Sequence, residues 1–449
     1  MGYSNNSTHP LAGGATIDFN FQPAHIYKQK KKIDFHSYCG SCSDSTGNLL
    51  FYTNGISIQN HQHELMQGGD SLNLSGFWYE FQQDGYPVGA GARIVPAPGK
   101  PNQYYLFSMG GRYEASTNQL VLAPLWYSRI DMNQNGGLGR VMEKNVVMLD
   151  VPLNEFVFVK HGNGRDWWLL ASRLNKNLHY TFLINEDGVN GPFVQEFGPP
   201  YTELETPSFC SVSPDGQTYI REDTYKGLNI YDFDRCTGQL SNLRQVPFEA
   251  GFACLTTTFS PDGRFLYLNS YEAMLSMDMH APDPPLTLDT LAYFDGFSTP
   301  EPFITVFWTG QAHDDGKLYY ATGNGTLALH VIHHPELPGL AADIEQHAIK
   351  LPVYNSLTLC RFPNYRLGIL TGSACDTIPF TGGNDAFRNT ANTAPLPSAS
   401  TGYKMLSPIR GNGTEPASRV SVFEYDIDRM RRIKREKLPF TEESLPQKH

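Results

Sequence analysis

The stretch Ser260 to Ser270 reads SPDGRFLYLNS, a polar turn that ends in Asp-Gly followed by a run of aromatic and aliphatic residues. Asp-Gly suits a tight hairpin turn, because glycine adopts positive φ without a steric cost. The residues after the turn have the composition of a buried β-strand. The stretch therefore predicts a hairpin whose second strand packs in a core.

The same pattern of a glycine turn followed by an aromatic strand recurs along the chain. The turn glycines are Gly47, Gly99, Gly164, Gly216, Gly263 and Gly316, which are separated by 52, 65, 52, 47 and 53 residues. This period is close to the length of one four-stranded blade of a β-propeller. After each of the last three turns comes a further strand with alternating faces, at Leu228–Asp232, Met274–Asp278 and Leu327–Val331.

These repeats predict an all-β chain that folds as a single β-propeller of four-stranded blades. The six marked turns and one unmarked copy near residues 364–368 give six or seven blades, and we favour seven. Residues 15–19 could complete the last blade and close the ring, which removes exposed strand edges. The predicted organisation is a flexible N-terminus at 1–14, a propeller at 15–370, a Pro/Ser/Thr-rich linker at 371–402 and a short C-terminal tail at 403–449.

The composition fits this architecture and argues against several classes of function. The 449 residues include 41 Gly, 31 Pro, 24 Tyr and 27 Phe, whereas only 18% are charged. The formal net charge of −11 argues against nucleic-acid binding, which needs a basic surface. No segment reaches the roughly 18 consecutive apolar residues of a transmembrane helix, and residues 1–14 lack the features of a signal peptide. We expect a monomer.

Seven cysteines are too few for a disulfide scaffold in a chain of this length. Cys39 and Cys42 have C-x2-C spacing, but the sequence shows no second pair of zinc ligands. The pair also precedes a strand, whereas a thioredoxin-like motif begins a helix. In an oxidising compartment the expected disulfides are Cys360 with Cys375, or Cys210 with Cys254.

Several segments resemble secreted β-propeller-like proteins of Bacteroidota. They include DSTGNLLFYTNGISI, FSPDGRFLYLNSY and IEQHAIKLPVYNSL followed by FPNYRLG, in the expected order from about Ala15 to Cys375. Members of this family usually carry a C-terminal sorting domain for type IX secretion. The resemblance implies an extracellular or outer-membrane surface location and supplies no catalytic residues. The tail from Tyr403 is similar only to the opening strands of such a sorting domain.

The turn HGNGRDWW, at residues 161–168, offers His161 and Asp166 as an acid/base pair. We favour a structural interpretation, because Asn-Gly is a turn signal and an Asp in such a turn accepts hydrogen bonds from backbone N–H groups. Asp314-Asp315 occupies the equivalent place in the last marked turn, directly after His313. If the propeller is a lactonase- or lyase-like enzyme with a site in its channel, the catalytic candidates are His161, Asp166, His313 and Asp314.

Metal binding is the alternative for a second group of histidines. His61 and His63 fall on one face if their segment is extended. A metal site needs several converging ligands, and the sequence contains no His-Glu-x-x-His or comparable spacing. We therefore predict no metal and no other cofactor, with a divalent metal at His61 and His63 as the alternative.

The aromatic residues favour a binding function. The stretch GFWYEFQQDGYP, at residues 76–87, predicts an irregular surface loop, and the alternative is that it fills a gap between blades. The expected ligand-binding residues are Trp78, Tyr79, Phe81, Tyr86, Phe307 and Trp308. We favour a non-catalytic module that binds glycan or protein partners, because the fold alone does not select a chemistry. If the candidate His and Asp residues converged at one end of the channel, the enzymatic interpretation would be favoured over the binding module.

Overall fold

The computed structural model describes residues 1–2, 8–89, 91–115, 118–199, 207–248, 252–299 and 303–376. The predicted tail and nearly all of the predicted linker lie outside these residues. The described part consists of strands and turns with one short helix, α1 (Gly76–Phe81), and 3-10 turns at Asn135–Gly137, Pro284–Thr287 and Gly339–Ala342. None of the helices in these ranges is long and apolar enough to cross a membrane.

The strands form a hairpin, one three-stranded unit and five four-stranded units, all antiparallel, and one strand pair joins two of the four-stranded units into a single eight-stranded sheet. The hairpin is β1 (Ala15–Asp18) and β2 (His25–Lys28). Unit 1 is β3 (Gly40–Ser43), β4 (Leu49–Thr53) and β5 (Ile58–Asn60). Unit 2 is β6 (Arg93–Pro96), β7 (Gln103–Tyr113), β8 (Leu120–Asp131) and β9 (Arg140–Leu149). Unit 3 is β10 (Leu153–Lys160), β11 (Trp167–Arg173), β12 (Leu178–Asn185) and β13 (Gly188–Glu196).

The remaining units have the same order of strands. Unit 4 is β14 (Cys210–Val212), β15 (Thr218–Asp223), β16 (Gly227–Phe233) and β17 (Leu240–Pro247). Unit 5 is β18 (Thr256–Phe259), β19 (Phe265–Asn269), β20 (Ala273–Asp278) and β21 (Asp289–Tyr293). Unit 6 is β22 (Gly310–Ala312), β23 (Leu318–Ala321), β24 (Asn324–Ile332) and β25 (Ile344–Ser356). The predicted third strands of the last three units are confirmed as β16, β20 and β24.

The first strands of the units lie next to one another around a common axis. Strand β3 contacts β6, β10 contacts β14, β14 contacts β18, and β18 contacts β22. Each four-stranded unit is an up-and-down meander that runs outward from this inner strand. The chain is therefore an all-β propeller with four-stranded antiparallel blades, as the repeat predicted.

Segments from two parts of the chain fill the gap between unit 6 and unit 1. The hairpin β1–β2 contacts β25 of unit 6. The Thr358 hydroxyl donates to the carbonyl oxygen of His36 at 2.7 Å, and the backbone N–H of Phe362 donates to the side-chain oxygen of Gln311 at 2.9 Å. Strand β25 completes unit 6, and β1 pairs with β2 in the gap that follows, where residues 15–19 were expected to help close the ring. We call this composite of the hairpin and residues 357–362 unit 7.

The six turn glycines all connect the first and second strands of a unit. Their φ angles lie between +68° for Gly99 and +86° for Gly47 and Gly316, which confirms the predicted turns. Because each unit is a meander, these turns lie at one end of the propeller, which we call the turn face. The opposite end, which carries α1, is the loop face.

The tandem tryptophans lie on opposite sides of blade 3, as predicted from side-chain alternation. Trp168 packs with Val157 of its own unit and with Tyr231 and Phe233 of unit 4. Its indole N–H donates to the carbonyl oxygen of Arg235 at 2.8 Å. The pair therefore belongs to the packing between blades.

One disulfide joins Cys236 to Cys375 at the turn face. The two expected pairings were therefore wrong. Cys360 packs against the cluster that contains Cys39, and Cys375 is bonded to Cys236. The thiols of Cys210 and Cys254 point to different carbonyl groups, of Glu155 and Thr256 respectively.

Candidate functional site

Residues 357–376, which we call the channel segment, run from unit 6 through the propeller axis to the turn face. The Tyr365 hydroxyl donates to the carbonyl oxygen of Ile94 at 2.6 Å. The backbone N–H of Leu370 donates to the carbonyl oxygen of Gly162 at 2.7 Å. The disulfide then fixes Cys375 to unit 4. The channel segment thus contacts the inner edges of units 2, 3 and 4 and covers the turn-face end of the channel.

A buried charge cluster lies where the channel segment crosses the axis. Arg93 of β6 donates to one carboxylate oxygen of Glu155 in β10 at 2.5 Å, and Arg361 pairs with the other oxygen. Arg361 also donates to the carbonyl oxygen of Cys210 at 3.2 Å. Such a cluster is tolerated in a core only because each charge has partners. Glu155 therefore fixes two guanidinium groups at the axis.

Glu222 of β15 is the second buried carboxyl group near the axis. One of its oxygens accepts from the backbone N–H of Thr257 at 2.8 Å and from the Thr257 hydroxyl at 2.5 Å. The other oxygen has no partner among the described residues. Burial raises the pKa of Glu222 to about 7, although the Thr257 hydrogen bonds and the charge of Arg361 oppose this rise. A carboxyl group with such a pKa can exchange a proton near neutral pH, but its side chain is fully buried.

His161 and Asp166 lie in one turn, but each side chain has a separate structural role. The His161 imidazole donates from Nε2 to the carbonyl oxygen of Cys236 at 3.1 Å and accepts from the backbone N–H of Asn163 at Nδ1. The Asp166 carboxylate accepts from the side chains of Asn163 at 2.9 Å and Arg165 at 2.8 Å. These contacts support the structural interpretation of HGNGRDWW.

His313 and Asp314 are also held by partners at the turn face. The His313 ring stacks on Phe19, with 3.7 Å between the ring centroids, and its Nδ1 accepts from the backbone N–H of Asp315. The Asp314 carboxylate is exposed and pairs with Arg366 of the channel segment at 2.7 Å. Neither residue contacts the cluster of Glu155 and the two arginines.

His61 and His63 lie in unit 1 beyond strand β5. His61 is exposed, whereas His63 binds the Gln29 amide through Nε2 at 2.6 Å and the Tyr52 hydroxyl through Nδ1 at 3.1 Å. Within the described ranges, no group of His, Cys, Asp and Glu side chains could hold a metal ion. The candidate residues are thus divided between the turn face and unit 1 and do not converge at one end of the channel.

Four of the six aromatic residues that we expected to bind ligand are buried in the fold. Phe81, Tyr86, Phe307 and Trp308 all pack inside the propeller. Residues 76–81 form helix α1 and not an irregular loop, because the side chain of Ser75 caps its N-terminus. Burial of Phe81 and Tyr86 agrees with the gap-filling alternative that we considered for residues 76–87.

Three aromatic side chains on or near helix α1 at the loop face are at least partly exposed, and we call them the aromatic patch: Trp78, Tyr79 and Tyr113. Tyr79 is 65% exposed and Tyr113 is 46% exposed. Trp78 is half-buried, and its indole N–H donates to the carbonyl oxygen of Ile56 at 3.1 Å. Beneath them the ring of Phe77 packs edge-to-face against Tyr113, with 5.9 Å between centroids. The patch is therefore exposed and rests on an ordered base.

Sequence reasoning did not find the charge cluster. A signal was present, since Glu155 interrupts the otherwise apolar strand LNEFVFVK and Glu222 follows the apolar start of TYIRED. A charged residue inside an apolar strand indicates a buried partner. The partner Arg361 lies 206 residues from Glu155, so only the folded chain shows the pair.

Comparisons with known proteins describe the fold and nothing more specific. No family model and no curated protein matches the chain. Among solved structures, a functionally unknown protein from Desulfotomaculum acetoxidans is 15% identical, with a TM-score of 0.41 over 76% of this chain and 93% of that one. A putative 6-phosphogluconolactonase from Bacteroides uniformis is 14% identical, with a TM-score of 0.36 over 58% and 86%.

A β-propeller domain from Myceliophteria thermophila is 12% identical to this chain. Its TM-score is 0.37, and the match covers 75% of this chain and 90% of that one. All three likenesses are too distant to support an inference about activity. The propeller assignment rests on the strand topology described above.

Proposed function

We propose that this chain is a non-catalytic, secreted or surface-exposed module that binds neutral glycans through the aromatic patch on the loop face. The observation that carries the proposal is the exposure of Tyr79 and Tyr113 on an ordered base. The predicted acid/base residues, by contrast, are engaged in structural hydrogen bonds at the turn face.

The chemistry of the patch suits a sugar ring. The C–H faces of a pyranose pack on aromatic rings, and tyrosine hydroxyls bind sugar hydroxyls. Trp78 and Tyr79 lie edge-to-face with 5.3 Å between their centroids, which holds the Tyr79 ring in a defined orientation. The adjacent Gln82 and Gln83 are exposed and offer amide hydrogen bonds. The net charge of −11 disfavours acidic glycans.

The surface location is part of this proposal. A stable disulfide at Cys236 and Cys375 is typical of proteins in oxidising compartments. This supports the extracellular location that the resemblance implies. The type IX secretion route and the Bacteroidota origin rest on the resemblance alone.

Replacing Tyr79 with alanine is expected to weaken glycan binding about tenfold, because it removes the most exposed stacking ring of the patch. Isothermal titration calorimetry with cello-, malto-, xylo- and laminari-oligosaccharides measures the effect. Tyr113→Ala should weaken binding of the same oligosaccharide. Tyr293→Ala is the matched control, because Tyr293 is 70% exposed on β21 and lies outside the patch.

The outcomes of this titration are distinct. Loss of affinity in Tyr79→Ala and Tyr113→Ala with unchanged binding by Tyr293→Ala supports the proposal. Equal affinity in all three variants places the glycan site elsewhere. No binding of any oligosaccharide by the wild-type protein rejects the glycan proposal in favour of a protein partner.

A further inference from the structure

Two cysteine residues meet at the junction between unit 1 and unit 7. Cys39 precedes β3 and is buried with Phe35 and Tyr52, and Cys360 of the channel segment packs against this cluster. The two thiols are close enough for each to shift the pKa of the other. The nearby hydrogen bond of 2.7 Å between Thr358 and His36 holds the two chain segments side by side. The pair thus lies in a fixed position, although 321 residues (360 − 39) separate its members.

We propose that Cys39 and Cys360 form a second disulfide that closes the propeller ring covalently between unit 1 and unit 7. Cys236 and Cys375 already fix the far end of the channel segment to unit 4. With both bonds in place, the channel segment is held at each end, and Arg361 is held beside Glu155 by the adjacent cross-link.

The chemistry requires an oxidant, and we assign this role to a disulfide such as oxidised glutathione. The Cys360 thiolate attacks one glutathione sulfur, forms a mixed disulfide and releases one glutathione thiol. The Cys39 sulfur then attacks Cys360 Sγ, its proton passes to the departing glutathione sulfur, and the second glutathione thiol is released. Two protein thiols and one glutathione disulfide thus give one protein disulfide and two glutathione thiols.

Its environment makes Cys360 the thiol that attacks glutathione disulfide in the first step. The hydrogen bond from Cys39 lowers the pKa of the Cys360 thiol, burial opposes this, and the charge of Arg93 adds to the lowering. Lys31 is a second cation close enough to interact with the Cys360 thiolate. Cys360 is also partly accessible, whereas Cys39 is buried. A low thiol pKa combined with access favours thiol–disulfide exchange.

The other free cysteines have different environments. The thiols of Cys42, Cys210 and Cys254 lie against carbonyl oxygens of Ser43, Glu155 and Thr256, at 3.8, 3.2 and 3.6 Å. Cys42 shares the C-x2-C spacing with Cys39. In the fold, however, Cys360 packs against the cluster that contains Cys39. The proposal therefore excludes a Cys39–Cys42 disulfide.

Thiol counting after refolding tests the proposal on the full chain. The denatured protein is refolded in a glutathione redox buffer, and its free thiols are titrated under denaturing conditions. Of the seven cysteines, two disulfides leave three free thiols (7 − 4), whereas Cys236–Cys375 alone leaves five (7 − 2). Non-reducing peptide mapping by mass spectrometry should find a Cys39–Cys360 peptide.

Matched serine variants complete the test. Cys39→Ser and Cys360→Ser should each leave four free thiols, whereas Cys42→Ser, from the same strand region, should leave two. Because the cross-link closes a long loop, the oxidised wild type and Cys42→Ser should melt roughly 5 °C or more above Cys39→Ser. Retention of the Cys236–Cys375 peptide shows that a variant has folded. Five free thiols in the wild type, or a Cys39–Cys42 peptide, overturns the proposal.

Discussion

Replacing Glu155 with glutamine is expected to lower the free energy of unfolding by about 3–5 kcal/mol or more. The amide keeps the shape of the side chain but removes the negative charge that Arg93 and Arg361 share. Both guanidinium groups are buried and would lose their charged partner together. Urea denaturation at pH 7, followed by intrinsic fluorescence, measures the effect.

Two further variants test whether the loss of stability comes from breaking a buried ion pair, as opposed to breaking an ion pair of any kind. Asp314→Asn removes the partner of Arg366 at an exposed pair and should cost less than about 1 kcal/mol. The double variant Glu155→Gln with Arg361→Met should be more stable than Glu155→Gln alone, because one of the two unpaired charges is gone. A small effect of Glu155→Gln, similar to that of Asp314→Asn, would show that the channel cluster is hydrated in solution.

The repeat of turns and strands could be predicted from the sequence because its signals are local. Gly263 and its equivalents need positive φ, and the aromatic strand follows within a few residues. Trp167 and Trp168 alternate between the two faces of one strand, so their burial on both sides followed from strand geometry. These features depend on neighbours in the chain and need no knowledge of the fold.

The closure of the ring could not be predicted in detail, because it depends on contacts between distant residues. Strand β1 has the composition of a blade strand, but the sequence does not show that β25 already completes unit 6. The disulfide of Cys236 and Cys375 spans 139 residues and depends on the path of the channel segment. The path of the folded chain, and not the spacing of cysteines in the sequence, determines which cysteines pair.

At the candidate site, too, the sequence alone did not show which residues are exposed. Tyr79 and Tyr86 lie seven residues apart in one aromatic stretch, yet Tyr79 is exposed and Tyr86 is fully buried. The composition of such a stretch does not show whether its aromatic side chains pack in the core or bind a ligand at the surface. The Tyr86 hydroxyl contacts the hydroxyl of Ser75, the residue that caps α1, and the backbone N–H of Gly111 in β7, while the ring packs against Tyr38; these tertiary contacts bury it.

Replacing Glu222 with glutamine is expected to stabilise the protein at alkaline pH and to leave its stability near pH 4.5 almost unchanged. The pKa of the Glu222 carboxyl is about 7 in the folded protein and has its ordinary value of 4.5 when the chain is unfolded. Between these values the folded state keeps a proton that the unfolded state has released. The free energy of unfolding therefore falls as the pH rises from 4.5 to 7, by about 3 kcal/mol in total.

The difference in the free energy of unfolding between the wild type and Glu222→Gln reports the ionisation of Glu222 alone. His179 and His330 have pKa values lowered by burial, to about 3 and about 4, so they reduce stability as the pH falls below 6.5. That effect is present in wild type and variant alike and cancels in their difference. Urea denaturation at pH 4.5, 6 and 8 should show a stability gain in Glu222→Gln that grows with pH, while exposed Glu196→Gln shows none. A gain independent of pH would mean that Glu222 is already ionised in the folded protein, with Arg361 and Thr257 sufficient to stabilise its charge.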